Sequence, residues 1–302
     1  MATQKMHAEE ADTSIPLVKR LLQAQLPQWA QLPVEEVHSA GTVNAIYRLG
    51  ADRVIRLPRI EEGMWQVEKE HHWLPVLAPL LPLTVPVPLV KGAPGEGFPW
   101  SWSVYQWIAG DNATITRFGG DTAAAVTLAN FVNALQQIDP GTGPGPGTHN
   151  FFRGVPLATR DAATREAIRT LSHTQSMEAV TAVWDQALSA PVWDRSPVWI
   201  HGDLHGGNLL ATEGRLSAVI DFGGLGVGDP ACDLLAAWML FTAPARAAFR
   251  ATVRADEATW QRGRGWALSV GLIALPYYEK SNPVLAAMAR HAIREAVADY
   301  QV

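Results

Sequence analysis

His201-Gly202-Asp203-Leu204-His205-Gly206-Gly207-Asn208, followed thirteen residues after Asn208 by Asp221-Phe222-Gly223, is the stretch that decides how this 302-residue chain is read. The apolar Pro197-Val198-Trp199-Ile200 runs directly into His201. Leu209-Leu210 follow Asn208, and a turn near Glu213-Gly214 leads into the apolar Leu216 to Ile220, ending at Asp221. This pattern predicts strand, polar loop, strand, turn, strand, with carboxylates delivered where short strands end.

Those residue types in that order suit phosphoryl transfer, which asks a protein mainly for positioning and for compensation of charge on phosphate oxygens. Asp203 is the candidate base for an incoming hydroxyl. Asn208 and Asp221 are candidate ligands for Mg²⁺, a hard cation that prefers oxygen. The pattern H-x-D-L-x-x-x-N plus D-F-G matches the kinase signature at each fixed position except the Arg after His. Any one of these residues alone commonly serves a turn; the ordered set is what points to chemistry. His201 is expected to hydrogen-bond backbone near Asp221 and brace the loop. His205 is open between facing a substrate and lying in the loop.

Working outward, the chain carries 24 Lys plus Arg against 29 Asp plus Glu, a net charge of −5 with no basic block, so nucleic acid is not an expected partner. The single cysteine, Cys232, excludes an intrachain disulfide framework and reads as a small buried residue. The polar start lacks the apolar core of a signal peptide, and apolar runs stop well short of a membrane span. A cytoplasmic protein without a membrane partner is expected.

Before residue 107 the sequence predicts a helix over Leu17–Leu26, with Pro16 in its first turn and Pro27 as its stop. It predicts strands at Val34–His38, Ala45–Leu49, Val54–Leu57, Val85–Leu89 and Trp102–Trp107, and a helix over Met64–Leu80 that Pro75 must kink or end. These make a five-strand antiparallel sheet with one helix packed on it. After Gly110-Asp111 the patterns are mainly helical: Thr122–Ile138, Ala162–Ser172, Met177–Ser189, Asp233–Leu240, Pro244–Arg254, Trp260–Leu275 and Val284–Tyr300. Gly141 to Gly147 reads as an exposed connector or a substrate-side flap. The expectation is an α+β bilobal fold, with residues 1–107 a nucleotide-binding lobe including the hinge. Residues 108–302 form a helical lobe for catalysis and acceptor binding.

With these motifs the chain resembles the aminoglycoside phosphotransferase family, protein-kinase-like enzymes acting on small alcohols. The likeness is sharpest at His201–His205 with Asn208, at Asp221-Phe222-Gly223, and at Gly228-Asp229-Pro230-Ala231 with Asp233-Leu234. Gly206 stands where the family usually has Pro, which implies a looser loop. The resemblance implies that Asp203 activates the acceptor hydroxyl, that Asn208 and Asp221 coordinate magnesium, and that Asp229 and Asp233 brace the floor of the site. It implies a phosphate loop at Ser39-Ala40-Gly41-Thr42-Val43-Asn44, where Ser39, Gly41, Thr42 and Asn44 are the candidate contacts. Arg56 stands where protein kinases use Lys on the phosphates, with Glu70 its expected partner and Glu68 the rival. Trp102 to Trp107 resembles the interlobe hinge, where main chain at Val104 and Gln106 reads the base. The implied cofactors are Mg²⁺ and ATP or GTP, and the partner is a small hydroxyl-bearing acceptor.

An aminoglycoside, a metabolic sugar, an amino alcohol and a macrolide all remain open as acceptor. For a cationic one, Asp161, Glu166, Asp229, Asp233, Glu257 and Glu279 are the available acids. A protein substrate is disfavoured, because Gly223 to Gly228 leads at once into Asp229-Pro230 without an activation segment. A weakly active nucleotide-binding scaffold is the alternative from another functional class. Trp260, Trp266, Tyr277 and Tyr278 are expected to serve mainly in packing.

Overall fold

The computed structural model describes residues 10–37, 43–172 and 177–301. His38, Ser39, Gly41 and Thr42 lie outside the described residues. The chain divides into two compact units, residues 1–79 with 84–109, and residues 80–83 with 110–302.

The first unit opens with α1 (Ile15–Gln25), whose Pro16 lies in the first turn where no intrahelical N–H is lost. Its Leu17, Leu21 and Leu22 recur at helical spacing and are buried. Strands β1 (Val34–Glu36), β2 (Asn44–Leu49) and β3 (Arg53–Pro58) follow, then α2 (Met64–Leu77), β4 (Pro88–Gly92) and β5 (Trp102–Gln106). They form one antiparallel sheet in the order β1-β2-β3-β5-β4. On β2, Ala45, Tyr47 and Leu49 alternate inward with the period of two that a half-buried strand requires. Leu17, Leu21, Leu49, Ile55, Leu57, Trp102 and Val104 share one core. Each aliphatic member contributes about 1.5–3 kcal/mol by leaving water.

Two elements differ from the sequence expectation. The fourth strand begins at Pro88 rather than Val85, because Pro86 lacks the N–H a ladder needs while Pro88 is tolerated as a first strand residue; a register shift falls between Pro88 and Val90. Pro75 does not end its helix at once, since α2 continues to Leu77 before a 3₁₀ turn at Ala78–Leu80.

In the second unit, β6 (Asp111–Asn112), α3 (Ile115–Phe118) and α4 (Thr122–Gln137) lead to α5 (Asp161–Leu171) and α6 (Glu178–Ser189). Asp121 caps α4 by accepting the N–H of Ala124 at 2.9 Å. Next come β7 (Val198–Ile200), β8 (Leu209–Thr212), β9 (Arg215–Val219) and β10 (Gly226–Gly228), then α7 (Ala236–Met239), α8 (Ala243–Thr252), α9 (Glu257–Tyr278) and α10 (Pro283–Tyr300). Small sheets β6-β8-β9 and β10-β7 carry the polar loops, and the helices bury Trp184, Trp199, Trp238 and Trp266.

The predicted helix Asp233–Leu240 is instead a 3₁₀ turn at Pro230–Leu235 running into α7, because the Asp233 side chain is drawn back to main chain at His201 and Gly202. The segment Gly141–Gly147 is largely exposed but anchored: Pro144 accepts the N–H of Val227 at 2.8 Å, and Trp199 Nε1 donates to Asp139 O at 3.1 Å. Among the described residues, no helix is long and apolar enough to cross a membrane.

Candidate active site

In the second unit, β7 ends at Ile200 and its chain turns through His201 to Asn208 before re-entering a sheet at Leu209. Antiparallel pairing of Leu209 with Val219 sets Asn208 beside Ile220, whose N–H donates to Asn208 O at 2.9 Å. Asp221, the next residue, is thereby delivered beside Asn208 by strand register. Asp221 has φ 62°, a left-handed conformation that costs roughly 1–2 kcal/mol outside glycine and is held here by the flanking strand and turn.

His201 is fully buried and braces the loop from both ring nitrogens. Nδ1 accepts the N–H of Asp203 at 3.2 Å, so the proton sits on Nε2, which donates to Ile220 O at 3.1 Å. Burial penalises its charged form and lowers its pKa to about 4, keeping it neutral at neutral pH. Phe222 packs edge-on against the ring with centroids 4.6 Å apart. Beneath them, the buried carboxylate of Asp233 accepts the N–H of His201 at 2.8 Å and of Gly202 at 2.7 Å. Gly202 has φ 84°, and a Cβ there would lie 2.5 Å from Gly224 O. That close approach explains why Arg cannot follow His as in the kinase signature.

Asp203 projects from this braced loop with about a third of its side chain exposed. Asn208 Nδ2 donates to Asp203 O at 2.9 Å and to Oδ2 at 3.2 Å. Both amide hydrogens thus serve Asp203, and Asn208 Oδ1 is the atom left to face a cation. His205 Nδ1 accepts the Gly207 N–H at 3.1 Å, so Nε2 carries its proton toward Asp203 Oδ2 at 3.4 Å. The 3.3 Å approach of Asn208 Nδ2 to His205 Nε2 then joins two donors and is only a contact. Arg153 Nη2 reaches Asp203 Oδ1 at 3.3 Å. Burial alone would raise the Asp203 carboxyl, but His205 and Arg153 outweigh it and hold it well below the usual carboxylate range. Burial likewise opposes charge on His205, and the Asp203 carboxylate overrides it and raises the imidazole.

Gly206 does not loosen this loop. A Cβ there would sit 2.2 Å from Ala113 O, and Asn112 Nδ2 donates to Gly207 O at 2.6 Å, so the loop is packed tightly where Pro is usual. Asp229 and Arg262 form a buried two-point pair at 2.8 and 3.1 Å. Cys232 is buried, and desolvation pushes its thiol up to about 12, which removes it from chemistry.

In the first unit, Arg56 on β3 meets Glu70 on α2, one guanidinium nitrogen lying 3.0 and 3.2 Å from the two carboxylate oxygens. The Tyr105 hydroxyl donates to the same Glu70, and burial raises this phenol well above its ordinary pKa. Glu68, the rival, pairs with Lys91 at 2.8 Å. Asn44 donates to Gln66 at 3.0 Å. Val104 is buried within the sheet between β3 and β4. Trp107 N donates to Asp52 O at 2.8 Å; main-chain alternation then turns the N–H and C=O of Gln106 to the opposite edge, beyond the start of β4 at Pro88.

Residues 35–266 match the phosphotransferase enzyme family. The chain belongs to that family. None of the curated proteins compared with it matches. In fold it is similar to the GDP and kanamycin complex of APH(2")-IIia, at 18% identity over 93% of this chain and 98% of that one, with TM-score 0.72. It is also similar to macrolide 2'-phosphotransferase type I, at 18% identity over 94% and 98%, with TM-score 0.61. A third similar structure is the streptomycin-ATP-APH(2")-IIa ternary complex, at 16% identity over 91% and 95%, with TM-score 0.58. Within this phosphotransferase, the residues that sequence reasoning missed are Arg153 and Arg262. No motif marks them, because they reach their partners across 50 and 33 positions of sequence.

Proposed function

We propose that this protein transfers the γ-phosphoryl group of Mg-ATP or Mg-GTP to a hydroxyl of a small molecule. The observation that carries the reading is the single hydrogen-bonded unit of Asp203 and Asn208, with Asp221 set beside Asn208 by the β8–β9 register. The acceptor hydroxyl is oriented by Asp203, which takes its proton as the O–P bond forms. A carboxylate held so far below its usual range is a weak base, so orientation outweighs early proton removal. Arg153 and His205 keep that carboxylate ionised and aimed.

Magnesium fits the donor set. Asn208 Oδ1 and the Asp221 carboxylate are hard oxygen donors, and among the described residues no cluster of three or more His, Cys, Asp or Glu forms an all-protein cage. Mg²⁺ commonly takes one or two protein ligands and completes its shell with water and phosphate. When bound it would neutralise charge on the donor phosphates. Arg56, fixed by Glu70, would hold those phosphates together with Asn44, and the main chain of Gln106 would read the base. We place the reaction in the cytoplasm, where nucleotide donors and a free Cys232 belong. Turnover is measured by ADP or GDP release across an alcohol panel, and nucleotide binding by titration. Asp203→Asn should lose about 10²–10⁴-fold in kcat while still binding Mg-nucleotide. Asp221→Ala should lose the magnesium dependence of nucleotide binding as well as turnover. Full turnover in either variant overturns the assignment.

A further inference from the structure

The six acids that the sequence offers to a cationic acceptor each have a partner, two of them buried and four in exposed pairs. Asp161 bonds Arg165 at 2.8 Å and Trp184 Nε1 at 2.7 Å, Glu166 pairs with Arg169, and Asp229 with Arg262. Asp233 takes two main-chain N–H groups, Glu257 pairs with Arg250, and Glu279 with Arg290 at 2.7 Å. Even Asp203 faces an arginine.

A groove of about 440 Å³ lies in the same unit, lined by Phe151, Phe152, Val155, Thr159, Arg160 and Ile273. Phe151 and Phe152 are 41% and 53% exposed and both have left-handed φ, 56° and 55°. Two large apolar side chains are thus held outward at a conformational cost that packing does not repay. Arg160 donates from Nε to Ser269 Oγ at 2.8 Å, and its guanidinium lies 4.8 Å from the Trp266 ring centroid. Among the described residues it forms no ion pair with a carboxylate. Arg153 lies over the same Trp266 ring at 5.9 Å and reaches Asp203 at 3.3 Å. Through the buried Trp266 ring and Arg153, Arg160 at the groove is thus only two side chains removed from Asp203. Burial and the like charge of Arg153 lower Arg160 to about 10, which leaves it cationic at neutral pH.

We propose that the acceptor is a hydroxy acid, with an apolar body against Phe151 and Phe152 and an anionic group on Arg160, and that polycations are disfavoured. An arginine fork with no carboxylate partner is suited to a two-point pair with an anion. A cation entering the groove would instead meet the Arg160 guanidinium. The inference rests on the phosphotransferase reading for the identity of its ligand as acceptor.

The test uses the full chain with Mg-ATP or Mg-GTP and three probes: 4-(hydroxymethyl)benzoate, 4-(hydroxymethyl)benzylamine and kanamycin. Equilibrium binding is read by calorimetry and turnover by nucleoside diphosphate release. The acid should bind at least about tenfold tighter than the amine, the difference expected from one charge-assisted contact. Arg160→Gln should erase that preference and Arg160→Lys should retain part of it, with nucleotide affinity unchanged. Should Arg160→Gln not fold, Phe152→Asp suits a left-handed exposed position and should turn the preference toward the amine. Equal binding of acid and amine, no binding of the acid by protein that binds nucleotide, or a preference that survives both Arg160→Gln and Phe152→Asp overturns the proposal. Selective, Arg160-dependent binding without transfer to any alcohol rejects the reaction and leaves the site. Transfer to kanamycin without preference for the acid rejects the site and leaves the reaction.

Discussion

Replacing Asp233 by Asn should produce a stability difference that depends on pH in one direction. The wild-type carboxyl is fully buried and accepts two main-chain N–H groups, from His201 and Gly202. Burial raises its pKa from 3.8 to about 7, the two hydrogen bonds opposing but not cancelling the effect. An amide retains one acceptor oxygen and turns its NH₂ toward the other N–H, which leaves a buried donor unpaired at a cost of about 1–3 kcal/mol.

That cost appears in full near pH 5, where folded Asp233 is protonated. Between about pH 5 and pH 7 the folded state holds a proton that the unfolded state has released, so wild-type stability falls as pH rises. At about 1.4 kcal/mol per pH unit the fall amounts to about 2–3 kcal/mol. The amide does not titrate, and other groups cancel in the comparison. Asp233→Asn should therefore be clearly less stable than wild type near pH 5 and nearly equal to it near pH 8. Urea melts at intervals across that range, followed by tryptophan fluorescence with Trp199 and Trp238 as buried reporters in this unit, supply the two curves. A difference that stays constant with pH would show that the hydrogen bonds keep Asp233 ionised. One that widens as pH rises would reverse the sign of the argument.

Two further outcomes follow from the same loop and its support. Arg262→Ala removes the partner of a carboxylate that is 5% exposed, and should cost about 3–5 kcal/mol in a denaturant melt, whereas Lys91→Ala, at an exposed pair with Glu68, should cost under about 1 kcal/mol. Gly202→Ala forces a Cβ within 2.5 Å of Gly224 O at φ 84°, so turnover should fall at least about tenfold as the Asp203 loop shifts, while nucleotide affinity measured by titration stays at its wild-type value.

Local order was legible wherever it depended on neighbours in sequence. The alternation Ala45, Tyr47, Leu49, the spacing of Leu17, Leu21 and Leu22, and Pro16 before Pro27 each specify an element from within a few residues. The motif from His201 to Asn208 and the triplet Asp221-Phe222-Gly223 likewise specify a carboxylate, an amide and a second carboxylate in order. His201 bracing main chain at Ile220, Glu70 rather than Glu68 on Arg56, and a buried Cys232 all followed from that reading. The start of β4 did not, because Val85 to Leu89 looks like a strand until proline's missing N–H is counted against a neighbour.

What the sequence by itself determined is the ordered set of side chains, two carboxylates and an amide, on which the proposed chemistry rests. Only the tertiary structure decided the charge around them. Arg153 reaches Asp203 across 50 positions, and Arg160 reaches Ser269 across 109. Asp161, Glu166, Asp229, Asp233, Glu257 and Glu279, which the sequence offers to a cation, each have a partner. Ionic and hydrogen-bond partners are chosen by distances of about 3 Å in space, and separation along the chain does not set those distances.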